Sequence, residues 1–390
     1  MDFHFSEQQE ELRREVKAFL DAELKQGTFR PDIDAWIEGW SPEFSRKLGQ
    51  KGWIGVTWPT AYGGKGWAYL DRLILTEEIL RYGAPAQFHW PGDRQIGPSL
   101  IHYGTEEQRK YFLPKIIKGE IAFALGMSEP EAGSDLASLK IRSQPKDGEF
   151  IFNGQKVWTG GAHKADYIYL VARTDPDAAK HKGISEFIVD LRLPGVTVKP
   201  LTDISGRQHL NEVYFDNVRV PQMALIGQLN RGWYQIIAQL DYERSGLERI
   251  MSNYPLFGAI QEYVRKTTRN GKPLAQDPLI RNRLAELAVD YEVGRWLIYR
   301  VAWMLSRGKL PNYEAAQSKI FGTAYQQRLA ATAMNILGLY GQLSEESPRA
   351  KLEGWAARSV NFSLGYTIMG GTSEILRNIV AGRGLGLPSE

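Results

Sequence analysis

Phe150-Ile-Phe-Asn153-Gly154-Gln-Lys-Val157-Trp158 is the stretch on which the reading of this chain turns. Two short β-favouring runs flank an Asn-Gly pair, and because both residues tolerate positive φ the pair predicts a hairpin turn. Outward from it, Ile121-Ala-Phe-Ala-Leu125, Tyr167-Ile-Tyr-Leu-Val-Ala172, Phe187-Ile-Val189 and Val213-Tyr-Phe215 are further short runs of the same kind. Together they predict an antiparallel β domain over residues 122–226.

On either side the apolar period changes from two to about 3.6. Before the β region, helices are expected at Glu7–Leu24, Ser41–Lys51, Ala68–Arg81 and Glu106–Lys118, the last following a Thr105 cap. Trp58-Pro59, Tyr62-Gly63-Gly64 and Pro91-Gly92 supply the turns between them. After Gly227, helical segments are expected near Gly232–Thr268, Pro278–Arg307, Tyr313–Leu337 and Thr372–Ala381, and the short connections favour an antiparallel bundle. The fold class is therefore α+β and multidomain. It comprises an N-terminal helical domain (1–121), a middle antiparallel β-barrel-like domain (122–226) and a C-terminal four-helix-bundle-like domain (227–390).

The 390 residues carry 48 Lys and Arg against 45 Asp and Glu, a net charge of +3, and no cysteine. That balance disfavours nucleic acid as a partner. The lack of Cys excludes disulfides, thiolate catalysis and Cys-ligated clusters, so redox chemistry requires a bound cofactor. Six scattered histidines show no metal-ligand spacing, and no metal is expected. Neither a signal peptide nor an apolar run of spanning length is recognisable, which gives the expectation of a cytoplasmic protein with no membrane span.

Four places carry candidate chemistry. Ile236, Leu240, Leu247, Met251 and Tyr254 make a helical stripe, and Glu243 falls on it, so a carboxylate is aimed inward. Burial would raise its pKa towards that of a general base, although from helix position alone an ion pair with Arg244, Arg249 or another buried cation is the commoner use. Met127-Ser-Glu-Pro-Glu-Ala-Gly-Ser134-Asp135 offers backbone N–H groups and hydroxyls after a β run, or is an ordinary turn. Gly370-Gly371-Thr372-Ser373-Glu374-Ile375 reads as a turn feeding a capped helix, with or without an anion at its N-terminus. Trp158 precedes Thr159-Gly160-Gly161 and is either core or a stacking surface for a flat cofactor.

In this order, and with Phe5-Ser6-Glu7-Gln8, Gly104-Thr105-Glu106-Glu107-Gln108 and Asn153-Gly154-Gln155-Lys156-Val157-Trp158, these pieces resemble the acyl-CoA dehydrogenase family. The resemblance runs from Phe5 to Arg377. It implies an FAD enzyme, usually a homotetramer and in some bacterial branches an α2β2 heterotetramer. Such an enzyme oxidises an acyl-CoA to the trans-2-enoyl-CoA and passes electrons to electron-transfer flavoprotein. In that mechanism a carboxylate removes the α proton while the β hydride goes to flavin N5.

The resemblance also implies roles residue by residue. Where the commonest relatives place the catalytic Glu, this chain has Gly370; a minority arrangement takes the base from the earlier helix, which makes Glu243 the catalytic residue. Leu125, Met127, Ser128, Gly133 and Ser134 would line the flavin and pyrophosphate, with Trp158, Thr159 and Gly160 beside the ring. Asn335, Gly338, Thr372 and Glu374 would meet the ribityl–adenosine part. Ser134, Asp241, Arg244, Gly370 and Gly371 would contact substrate. Three departures stand out: Gly160 replaces a Thr or Ser, Leu339 replaces a Gly, and the cross-subunit Arg aligns near Thr267, leaving Arg265 or Arg269 to replace it. They keep open the expectation of a catalytically incomplete partner subunit of an α2β2 assembly; an acyl-CoA oxidase that passes electrons to oxygen is a third expectation.

Overall fold

A computed structural model describes residues 4–243 and 247–388, with 238–243 as backbone. An N-terminal helical domain precedes a sheet domain and a C-terminal helical domain. Helices α1 (Glu7–Gln26), α2 (Pro42–Gln50), α3 (Tyr69–Arg81), α4 (Gly97–Tyr103) and α5 (Glu106–Ile117) come first. Strands β1 (Phe123–Gly126), β2 (Arg142–Lys146), β3 (Glu149–Lys156), β4 (Tyr167–Arg173), β5 (Ile184–Asp190), β6 (Val196–Leu201), β7 (Leu210–Pro221) and β8 (Leu225–Ile226) follow. Helices α6 (Gly232–Glu243), α7 (Glu248–Met251), α8 (Tyr254–Lys266), α9 (Pro278–Ser306), α10 (Tyr313–Leu337), α11 (Trp355–Tyr366) and α12 (Ser373–Ile379) close the chain. No helix among the described residues is long and apolar enough to cross a membrane.

Contacts group these segments into two compact units. Ile37–Trp67 and Pro85–Glu243 form the one that contains the sheet; Met1–Trp36, Ala68–Ala84 and Arg244–Glu390 form the other, which is helical.

In the sheet unit the strands run in the order β6-β7-β3-β2-β4-β5-β8, with β1 pairing parallel to β4. The central strands β4 and β5 are buried almost end to end, as strands covered on both faces must be. Phe150 and Phe152 of β3, Phe187 of β5 and Phe215 of β7 pack against one another in the core.

The hairpin lies elsewhere than Asn153-Gly154. The turn joining β2 to β3 falls at Asp147-Gly148, with φ of 54° and 79°, whereas Asn153-Gly154 lies inside β3 at a break in register against β7. A Cβ at Gly154 would lie 2.8 Å from Ile141 Cγ1, and Asn153 Oδ1 accepts from the Asn217 N–H at 2.9 Å across the strands. The Asn-Gly pair thus serves a β-bulge, the other use of a permissive backbone.

Helix α5 begins as expected: Thr105 Oγ1 accepts from Gln108 N, and Gln108 Oε1 accepts from Thr105 N. Gln108 Nε2 also donates to the Met223 and Leu225 carbonyls at 2.6 and 2.8 Å, tying α5 to β8 and the turn before it.

In the helical unit α1, α3 and α9 meet around a buried Glu77, which receives Arg13 at 2.8 Å, the Tyr299 hydroxyl at 2.6 Å and Arg295. The segment expected as one helix from Gly232 to Thr268 is divided. Pro255, with no N–H to give, stands at the start of α8 rather than inside a longer helix. Leu247 and Met251 are buried at α7 as the stripe requires.

Candidate active site

The Met127–Asp135 stretch leaves β1 and is closed by paired N–H···O bonds between Glu129 and Ala132 at 2.9 and 3.1 Å. Leu125 is half-buried on β1, Met127 and Ser128 are half-buried after it, and Gly133 and Ser134 are exposed at the tip. The anchor is Glu129. Its carboxylate accepts from Lys156 Nζ at 2.9 Å and from the backbone N–H groups of Lys140 and Ile141 at 2.6 and 3.1 Å. Lys156 also donates to the Met127 carbonyl at 2.8 Å, while the Ser128 carbonyl accepts from Val157 N–H at 3.0 Å. Burial pushes the Lys156 ammonium down to about 8, against the pull of Glu129.

Two residues beyond Lys156 stands Trp158. Its backbone has φ of 60°, a left-handed conformation costly for a bulky residue, and it is 62% exposed between the buried Val157 and Thr159. The turn is pinned from behind. Thr159 N donates to the Asn211 carbonyl at 3.0 Å, Asn211 Nδ2 returns to the Thr159 carbonyl at 2.8 Å, and Gly161 N donates to the His209 carbonyl at 2.7 Å. A Cβ at Gly160 would meet nothing within 4 Å. An indole turned outward on strained backbone, next to an open-faced glycine and the loop held by Glu129, makes a platform for a planar group.

His209 lies 3.4 Å from Glu38 and 3.3 Å from Asp203, and Arg207 reaches Glu38 at 3.1 Å. The Arg207 guanidinium supplies the cation of this cluster. Burial pushes His209 down to about 4, so its ring stays neutral near pH 7.

Helix α6 is fixed at its beginning. Gln235 Nε2 donates to Glu186 Oε2 at 2.6 Å and to the Ile226 carbonyl at 3.2 Å, and Ile236 is fully buried. Burial pushes the Glu186 carboxyl up to about 7. Helix α6 is described as far as Glu243; the side chains of Glu243 and Asp241, and all of Arg244, lie outside the described residues.

In the helical unit, Gly370 and Gly371 both adopt left-handed φ, 67° and 93°. Lys319 Nζ, buried on α10, donates to the Gly371 carbonyl at 2.8 Å and holds the turn. Thr372 Oγ1 accepts from Ile375 N at 3.2 Å and caps α12, while Glu374 is exposed and faces Arg377 at 3.5 Å. Arg269 donates to the Ile336 carbonyl at 2.5 Å, at the end of α10 where Asn335 and Gly338 are exposed. Arg265 lies exposed on α8, 3.7 Å from Glu262.

The structure thus gathers Leu125, Met127, Ser128, Trp158, Thr159 and Gly160 in one unit. It places Gly370, Gly371, Thr372, Glu374, Asn335, Gly338, Arg265 and Arg269 in the other. Sequence reading missed Glu129, Lys156, Asn211 and Glu186. One signal was available: the alternation Phe150, Phe152 continues by twos to Lys156, and a Lys at an inward position demands an acidic partner.

Profiles described as the N-terminal, middle and C-terminal domains of acyl-CoA dehydrogenase match residues 6–120, 124–218 and 230–385. The chain is 38% identical over 345 residues to acyl-CoA dehydrogenase FadE29 of Mycobacterium tuberculosis, covering 88% of this chain and 87% of the relative. Among solved structures, the Tcur3481-Tcur3483 steroid ACAD superposes with a TM-score of 0.90 at 34% identity, over 100% of both chains. The ChsE4-ChsE5 complex from Mycobacterium tuberculosis gives 0.88 at 32%, again over 100% of both.

Proposed function

The chain belongs to the acyl-CoA dehydrogenase family, an FAD-dependent oxidoreductase family acting on acyl-CoA thioesters, and we propose that Glu243 is the base that removes the α proton of its substrate. When bound, FAD supplies the acceptor for the two electrons released as the Cα–Cβ bond becomes unsaturated. The observation that carries the reading is Trp158: an exposed indole at φ 60° beside the open face of Gly160 fits a flat tricyclic ring. Trp158, Thr159 and Gly160, with Leu125, Met127 and Ser128, would hold the isoalloxazine. Gly133 and Ser134 take the pyrophosphate or pantetheine. Thr372 and Glu374, with Asn335, Gly338 and one of Arg265 and Arg269, take the ribityl–adenosine part.

A carboxylate on α6 suits the proton transfer because an α C–H of a thioester is weakly acidic and needs a base of raised pKa, positioned rather than diffusing. Glu243 belongs to the helix whose first turns are clamped by Gln235 on Glu186. Gly370 has no side chain to offer in its place. Asp241, Arg244, Gly370 and Gly371 frame the substrate, and electron-transfer flavoprotein takes the electrons onward.

The assembly is a tetramer, and a two-chain α2β2 form is favoured by one observation: both structural relatives named above are described by two different chains. The acyl group is bulky, in keeping with the steroid substrate named for the first of them. The test is anaerobic mixing of the purified flavoprotein with acyl-CoA thioesters while flavin bleaching is followed. Glu243→Gln is expected to keep FAD bound and to lose reduction by several orders of magnitude. Fast reduction in Glu243→Gln overturns the assignment. One FAD per chain indicates a self-sufficient homotetramer, and one per two chains a heteromer.

A further inference from the structure

Asn211, the second residue of β7, is fully buried and spends its side-chain amide on the turn that carries Trp158. Its Nδ2 donates to the Thr159 carbonyl at 2.8 Å and to the His209 carbonyl at 3.2 Å, while its Oδ1 lies 2.9 Å from His163 Nδ1. Two carbonyls at one end of the amide fix which end is the NH2, so Oδ1 accepts and His163 Nδ1 carries the proton it donates. His163 belongs to the same turn, four residues after Thr159. One side chain therefore catches the turn at both ends.

What this clamp fixes is a single peptide unit. Thr159 N–H pairs with the Asn211 carbonyl at 3.0 Å and Gly161 N–H with that of His209 at 2.7 Å, which joins the two segments without any side chain. Asn211 Nδ2 adds a hold on the Thr159 carbonyl itself. A trans peptide is planar, with its C=O and the following N–H pointing in opposite directions. A Thr159 carbonyl drawn back onto β7 therefore turns the Gly160 N–H forward, away from that strand. The unit is one that would otherwise turn easily: its rotation uses ψ of Thr159 and φ of Gly160, and a glycine puts no Cβ in the way. The neighbouring Trp158 sits at φ 60°, a conformation that a bulky residue leaves when released. The forward side is open, since a Cβ on Gly160 would meet no atom within 4 Å.

We propose that Asn211, itself held by His163, is a positioning residue that aims the Gly160 N–H at the flavin ring. This rests on the flavin platform read at Trp158 and adds what orients it. The positive end of a peptide dipole facing the ring favours its electron-rich, reduced form. With the unit released, the Thr159 carbonyl turns forward in its place and opposes reduction. Buried behind the turn, Asn211 acts through the peptide and not by touching the cofactor.

The test uses the FAD-loaded enzyme in its native assembly. It reads the midpoint potential of the bound flavin, by reductive titration against a reference dye without substrate, beside kcat and KM with the acyl-CoA thioester that bleaches the flavin fastest. Asn211→Ala is expected to make the potential more negative and to lower kcat about tenfold or more, with KM within about twofold of the parent. His163→Leu, which leaves Asn211 Oδ1 unmet and frees the amide to rotate, should shift the potential in the same direction. His163→Asn, which keeps a donor where Nδ1 stood, should restore most of it. Should Asn211→Ala fail to fold, the two variants of the half-buried His163 carry the comparison. An unchanged potential in either folded variant that breaks the clamp, or a His163→Leu shift that His163→Asn does not reverse, overturns the proposal and leaves Asn211 a strand contact. Failure of the underlying reading looks different: no FAD uptake by the unaltered chain, or an FAD affinity indifferent to Trp158→Gly, places the ring elsewhere, and the proposal falls with it.

Discussion

Lys156 Nζ lies 2.9 Å from Glu129 Oε1, with the Lys side chain fully buried and that of Glu129 6% exposed. The pair joins the last residue of β3 to the loop that follows β1, so the outward tilt of Trp158 and the course of Met127–Ser134 share one electrostatic anchor. Removing one member of a buried pair strands the other, which costs about 3–5 kcal/mol. Lys156→Met is therefore expected to lower unfolding free energy by that order and to release FAD. Adding Glu129→Gln should recover part of the stability. Urea titration with flavin absorbance reads both, and a Lys156→Met protein as stable as the parent would show that the pair holds nothing.

Glu186 makes the fold sensitive to pH. Burial raises its carboxyl from 4.5 to about 7 in the folded chain, so between those values the folded state binds a proton that the unfolded state does not. Stability from this group is therefore full below about 4.5 and is lost as pH rises through 7, by about 3 kcal/mol in all. Glu186→Gln should flatten that slope, since an amide still accepts from Gln235 Nε2 without titrating. Unfolding free energies at pH 5 and pH 8 decide it: the parent and Glu186→Gln should differ in slope between the two pH values.

Trp158 gives the opposite signature, a large effect on the cofactor and a small one on the fold. Its left-handed backbone costs about 1–2 kcal/mol, and a glycine would relieve that while adding unfolded-state entropy of similar size. Trp158→Gly is expected to stay within about 1 kcal/mol of the parent in stability and to bind FAD at least tenfold more weakly. Fluorescence titration of the apoprotein with FAD measures it. Unchanged affinity would remove Trp158 from the flavin site.

What the sequence made legible was local. Thr105 and Gln108 cap α5, and the short β runs become the strands of the sheet, because each depends on residues a few positions apart. The hairpin expected at Asn153-Gly154 falls elsewhere because positive-φ tolerance says that the backbone bends and not which bend. Choosing between a hairpin at Asp147-Gly148 and a bulge at Asn153-Gly154 required knowing that Ile141 and Asn217 close on the second pair. Glu129 stood in a quoted motif without a role, because its partner lies 27 residues away and only the fold brings Lys156 to it. Trp158 was legible as a flat aromatic beside glycines, whereas its strain, the better sign of function, is a property of the backbone alone.

Gly370 explains why a carboxylate cannot simply be moved to the commoner position. Its φ of 67° and that of Gly371, 93°, form a turn held by Lys319 on the Gly371 carbonyl. Any side chain at 370 meets the left-handed penalty of about 1–2 kcal/mol before its chemistry is considered. Gly370→Ala should therefore lose about that much stability, and Gly370→Glu should lose at least as much, each by urea unfolding. In a Glu243→Gly background, Gly370→Glu is expected to restore only a small part of flavin reduction, because relieving the strain shifts the turn that would have to aim the new carboxylate. Equal stability of Gly370→Ala and the parent would refute the backbone argument. Full recovery of reduction in the double variant would show that the turn accepts a base without moving.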